Sequence, residues 1–128
     1  MVVKILIADD DMDVHQLMCD VLAINFKKVN IERALNISSF WEKYSADDAA
    51  WDLVFLRVKY ILEEPEGFME RLTKANPDTL NKVILMGYEY NYKMCNDDVK
   101  ALPFLAKPFS LDRFAELAKS VYNSRLKV

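Results

Sequence analysis

Glycine is almost absent: Gly67 and Gly87 are the only two in 128 residues. Phosphate-cradling loops and dinucleotide fingerprints need several glycines at fixed spacing, so both are excluded. Cysteine is as sparse. Cys19 and Cys95 stand apart, without CxxC spacing, which argues against a zinc site and against a disulfide framework. Both read as small hydrophobes used for packing. His15 is the single histidine. It lies off the apolar stripe of its helix, has no evident Ser or Cys companion for nucleophilic chemistry, and reads as a solvated position. No apolar run approaches the roughly 18 residues of a membrane span, and Lys4, with acids soon after it, breaks any signal-peptide pattern. The net charge of −3 offers no basic field for nucleic acid. The expectation is one domain over residues 1–128, cytoplasmic, with neither membrane nor nucleic acid as a partner, and long enough to bury roughly two thirds of its unfolded surface.

What the chain does contain is a series of short apolar runs that end in charge. The first, Met1 to Ala8, stops at Asp9, Asp10 and Asp11. It reads as a buried parallel strand whose carboxyl end opens on a site, the place where ligands bind in open α/β sheets. Val14, Leu17, Met18, Val21 and Leu22 then repeat at helical spacing, with Asp11 or Asp13 as cap or first-turn acid. Residues 28–35 suit a more exposed second strand. Ser39 to Glu42 reads as a capping box opening a helix that runs to about Ser45, and residues 46–50 as a polar connection.

The run Asp52 to Val58 is the pattern of a central strand, and it closes at Arg57, which must reach solvent or find carboxylates. Residues 59–66 read as an acidic loop, Pro65 as part of the next helix's first turn, Phe68, Met69 and Leu72 as that helix's buried face, and Asn76-Pro77-Asp78 as its end. Lys82 to Gly87 is a fourth strand. Tyr88, Tyr90 and Tyr92 follow at alternating positions and either prop a loop against the core or face a partner. Leu102 to Ala106 is an edge strand ended by Lys107-Pro108. Ser110 caps a last helix carrying Leu111, Phe114, Leu117, Ala118, Val121 and Tyr122, with Arg125 and Lys127 near its end. The alternation predicts a parallel sheet with helices on both faces.

An acidic cluster closing strand one, a charged residue closing strand three, a small residue closing strand four and Lys-Pro closing strand five resemble the receiver domain of two-component response regulators. The resemblance rests on Ile5 to Asp11, Asp52 to Arg57, Val83 to Gly87 and Phe104 to Phe109. It implies a flavodoxin-like five-stranded sheet in the order 2-1-3-4-5 and a function in signalling. In that family the acidic pair of strand one binds magnesium, and Asp9 and Asp10 match it, with Asp11 as a substitute by one-residue slippage. Lys107 matches the phosphate-contacting lysine, often followed by a cis proline, here Pro108. Phe104 matches the switch aromatic without its hydroxyl.

Two positions depart from the family. Arg57 stands where the phosphorylated aspartate should be, and arginine neither forms an acyl phosphate nor binds a cation. Gly87 stands where a hydroxyl residue should be. Arg57 either neutralises Asp9, Asp10 and Asp11 as a metal would, or swings outward. The expected function is a phosphorylation-independent, pseudo-receiver interaction module with no enzymatic activity, no cofactor and a degenerate pocket of Asp9, Asp10, Asp11, Arg57, Gly87 and Lys107. Its expected partners are signalling proteins, or a second copy, docking on Tyr88, Tyr90, Tyr92, Phe104, Pro108 and the exposed side of residues 111–125. The alternative is a residual magnesium-dependent phosphoacceptor that uses another carboxylate such as Asp10 or Asp11.

Overall fold

The periodicity of the apolar runs becomes five parallel strands in a computed structural model that describes residues 2–46 and 50–126. They are β1 (Val3–Ala8), β2 (Val29–Ala34), β3 (Leu53–Arg57), β4 (Val83–Gly87) and β5 (Phe104–Ala106), ordered β2-β1-β3-β4-β5. Successive residues of a strand point to opposite faces, so each fully buried run feeds two cores. Ile5, Ile7, Phe55, Ile84 and Met86 pack under α1 (Met12–Asn25) and α7 (Leu111–Leu126). Leu6, Ala8, Val54, Leu56 and Leu85 pack on the other face, under α2 (Ile37–Tyr44), α3 (Val58–Glu63) and α4 (Phe68–Ala75). Two short helices, α5 (Glu89–Lys93) and α6 (Asp97–Lys100), and a 3-10 turn at Thr79–Asn81 complete the described elements. Among the described residues no helix is long and apolar enough to cross a membrane.

Several expected boundaries move, each for a local reason. Residues 59–66 are not simply an acidic loop: Val58 and Ile61 lie one turn apart and bury with Tyr60, so α3 forms directly after β3 and only its end carries the acids. Pro65 falls before α4 rather than in its first turn, because Gly67 takes a left-handed turn (φ 69°) and the helix starts at Phe68. The capping box of α2 also lies one turn earlier. Asn36 is the cap, accepting from the Ser39 N–H at 2.8 Å, while the Ser39 hydroxyl accepts from the Asn36 N–H at 3.3 Å. The two side chains close one reciprocal box, with the Asn36 amide oxygen as the cap and the Ser39 hydroxyl reaching back to it.

In α1, Asp11 is the N-cap and Met18, Val21 and Leu22 are buried, yet Leu17 of the expected stripe is exposed. The same holds for Leu111 in α7. Ser110 caps α7, its hydroxyl accepting from the Arg113 N–H at 3.1 Å. Lys127, the side chain of Arg125 and residues 47–49 of the expected connection lie outside the described residues. Cys95 is buried and Cys19 partly so, both as free thiols.

Candidate functional site

Strand register assembles the site. Ala8 pairs with Leu56 and Arg57 with Met86, while Gly87 pairs with Ala106. The residues that follow or close these strands, Asp9, Arg57, Gly87 and Lys107, therefore meet at one end of the sheet. Asp9 continues the parity of Ile5 and Ile7, Arg57 that of Leu53 and Phe55, and Lys107 that of Leu105, all of them packed on the α1 and α7 side.

The three acids divide their work. Asp9, only 1% exposed, accepts from the Lys107 ammonium at 2.5 Å and from the Asp11 N–H at 3.0 Å. Asp10, at the rim with its side chain 54% exposed, is ion-paired with Arg57, whose side chain is 22% exposed. Asp11 faces neither cation and caps α1, accepting from the Val14 N–H at 3.3 Å. The expectation that Arg57 neutralises all three acids is corrected accordingly. A helix start claims Asp11, a buried lysine claims Asp9, and the guanidinium meets Asp10. Arg57 turns inward to the cluster, with its guanidinium carbon 5.8 Å from the Tyr60 ring. Burial disfavours its charge, but the Asp10 and Asp9 carboxylates outweigh that and raise its pKa. Burial, and then the charge of Asp10, pushes the Tyr60 phenol up to about 12, while its hydroxyl donates to the Leu35 carbonyl at 3.0 Å.

Asp9 and Asp10, the carboxylates that would have to hold a magnesium ion, are both engaged by cations. That ion needs free hard oxygens in near-octahedral array, and one of the two cations is on the side chain where a third oxygen would be required. Among the described residues no three His, Cys, Asp or Glu side chains converge on a metal-sized position. Gly87 has φ 150°, a conformation that favours glycine, and a Cβ built there would lie 3.6 Å from the Val58 Cβ. The backbone, not crowding, opposes a side chain. Gly87→Thr is expected to lose about 1–3 kcal/mol of stability by urea denaturation, and an unchanged midpoint would mean that the backbone relaxes out of positive φ.

The tyrosines divide: one props the core and two are exposed. Tyr92 stacks on Phe104 at 4.1 Å and donates to the Lys100 carbonyl at 3.1 Å, propping α5 against β5. Tyr88 and Tyr90 stack on each other at 5.7 Å and are exposed. Pro108 follows a cis peptide bond and, with Tyr88, Lys107 and Phe109, lines a groove of about 360 Å³.

Sequence reasoning missed Arg33. From β2, its Nε donates to the Asp9 carbonyl at 3.4 Å and its guanidinium reaches the Met12 sulfur. Only the β1–β2 register, which sets Arg33 beside Ile7, reveals it. The reading of His15 as solvated is also corrected. It is partly buried, 3.4 Å from the Cys19 sulfur, and burial followed by the Arg33 charge lowers its pKa. The four-residue spacing of His15 and Cys19 was the available signal.

Sheet order, helices on both faces and the strand-end cluster together define the flavodoxin-like fold of CheY-like receiver domains. Solved structures carry the likeness. NtrX from Brucella abortus matches with a TM-score of 0.74 at 20% identity, over 99% of this chain and 29% of that chain. The CheY-like receiver domain protein from Methanospirillum hungatei JF-1 matches at 0.71 and 21% identity, over 99% and 98% of the two chains. The chemotaxis response regulator CheY4 of Vibrio cholerae matches at 0.74 and 19% identity, over 94% and 99%. The chain thus spans less than a third of NtrX and nearly the whole of the other two. No protein-family profile and no curated protein sequence matches it. At these identities the likeness is one of fold.

Proposed function

We infer that this is a phosphorylation-independent, pseudo-receiver signalling domain that works by binding another protein rather than as an enzyme or a magnesium-dependent switch. The observation that carries this reading is the ion pair between Arg57 and Asp10 at the end of β3. A guanidinium there supplies the positive charge that a metal would otherwise bring, but it offers no carboxylate to phosphorylate. Gly87 removes the neighbouring hydroxyl as well. The cluster then acts as a permanent electrostatic clamp between strand ends, and the surface around it keeps one arrangement. Exposed Tyr88 and Tyr90 offer amphipathic rings suited to a protein interface. The proposed partner is therefore a protein of a signalling pathway, met in the cytoplasm.

The decisive experiment combines a small phosphodonor with magnesium, read by intact-mass spectrometry and by amide NMR. The expected result is no phosphoryl adduct and no saturable shift at Asp9, Asp10, Arg57 or Lys107. A magnesium-dependent adduct on Asp10 or Asp11 would replace this reading with residual phosphoacceptor chemistry.

A further inference from the structure

Where one side chain is buried, its neighbours along the chain are turned to the surface. Phe68 and Leu72 of α4 are buried one turn apart, which leaves Met69 and Glu70 on the flank beside α6. On α6, Val99 is buried and Asp98 and Ala101 border the same space. The turn after α4 adds an apolar knob. Thr79 is fully buried, its hydroxyl 2.7 Å from the Tyr44 hydroxyl and 2.6 Å from the Asn76 carbonyl, so the next residue, Leu80, is held outward at 61% exposed. Two grooves result, and they run together because both are bordered by Met69, Glu70 and Asp98. The larger, of about 860 Å³, has Met69, Pro77, Leu80 and Ala101 as its apolar part. The smaller, of about 340 Å³, passes Glu66 and the edge of Phe68.

We propose that this joined groove docks a basic, amphipathic segment of another protein, with its apolar side chains on Met69, Pro77, Leu80 and Ala101 and its cations against Glu66, Glu70 and Asp98. Charge complementarity selects that occupant. The ion pairs among the described residues are Glu32–Lys43, Asp10–Arg57, Glu89–Lys93 and Asp9–Lys107, which leaves Glu66, Glu70 and Asp98 without a cation. Lys74 is the one cation in the described lining, and three carboxylates against it leave two negative charges. Helix dipoles favour acids at the starts of α4 and α6, but they do not require those acids to border an exposed leucine. An acidic partner would set like charges together, and an uncharged one would strip water from carboxylates that it could not pair. Because the Thr79 turn already fixes Leu80, little freedom is lost on docking, and the Met69 side chain adapts to what arrives. The groove shares no lining residue with the Arg57 cluster or with Tyr88 and Tyr90, so the proposal does not rest on the phosphorylation-independent reading.

Fluorescence anisotropy of the full chain tests this with three labelled peptides: an amphipathic helix of Leu and Lys, its counterpart of Leu and Glu, and a Lys–Ser peptide of the same charge as the first. The Leu–Lys helix is expected to bind about tenfold or more tighter than either of the others. Glu70→Lys combined with Asp98→Lys should weaken it about tenfold or more, whereas Asp20→Lys combined with Glu116→Lys, the same change of net charge at exposed positions of α1 and α7, should leave it within about twofold. Leu80→Ser should weaken it several-fold with an unchanged circular-dichroism melt, because the side chain is exposed. Amide NMR should place the shifts at Met69, Thr73, Leu80 and Ala101. Equal binding of the Lys–Ser peptide, an equal loss in the Asp20 and Glu116 variant, or shifts confined to other surfaces would each overturn the proposal, since attraction would then need no groove. A preference for the Leu–Glu helix would overturn it in favour of an acidic partner. Failure of all three peptides to bind at millimolar concentration would overturn it outright.

Discussion

Replacing Lys107 with Met is expected to destabilise the fold by about 3 kcal/mol or more at neutral pH. The reason is Asp9. Its carboxylate is 1% exposed and sits 2.5 Å from the Lys107 ammonium, whose side chain is itself only 9% exposed. Removing the cation leaves a charge that water cannot reach, and the Asp11 N–H at 3.0 Å offsets only part of the loss. Methionine keeps most of the stem's packing, so the change isolates the charge. Urea denaturation at constant slope measures it. Adding Asp9→Asn to Lys107→Met should recover most of the deficit, since the uncompensated charge goes with it. A loss below about 1 kcal/mol would mean that water enters the site and solvates Asp9.

Arg57→Asp is expected to convert a clamp into a cation site. The wild type should show no change in thermal stability on adding magnesium. In the variant a third carboxylate replaces the guanidinium beside Asp9 and Asp10, and in chelator the variant should melt below the wild type because like charges now face one another. Magnesium should then restore it, by about 2.7 kcal/mol at a hundredfold excess over its dissociation constant. Arg57→Ala separates the two effects. It removes the cation without adding an oxygen, and because Asp10 is 54% exposed the cost should be below about 1 kcal/mol. A wild type stabilised by magnesium as strongly as Arg57→Asp would remove the basis of the phosphorylation-independent reading.

Much of the architecture was legible because buried parallel strands carry their own signature. Apolar runs at residues 5–8, 53–56 and 83–86 have no polar face, and a sheet covered on both sides accommodates them. Their ends at Asp9, Arg57 and Gly87 were legible as strand ends, and the register brings them together. Helix starts were harder. Asn36 and Ser39 are both good caps, and the choice between them depends on where the chain leaves β2 rather than on either residue alone. Residues 58–63 misled for a different reason: the acids at 63, 64 and 66 dominate the composition, while burial of Val58, Tyr60 and Ile61 decides the structure.

The residue types at the strand ends were determined by the sequence alone, and with them the absence of a carboxylate at 57 and of a hydroxyl at 87. How the charges pair was not. Three consecutive aspartates are equivalent along the chain, and no local rule assigns one to a lysine 98 residues away, one to an arginine 47 residues away and one to a helix cap. That division is made by strand register and by the start of α1, which aim successive side chains in different directions. The same holds for Arg33, Leu17 and Ile24. Their types are plain in the sequence, but whether a charge meets the cluster or an apolar side chain meets water depends on which surfaces the sheet and α7 leave uncovered.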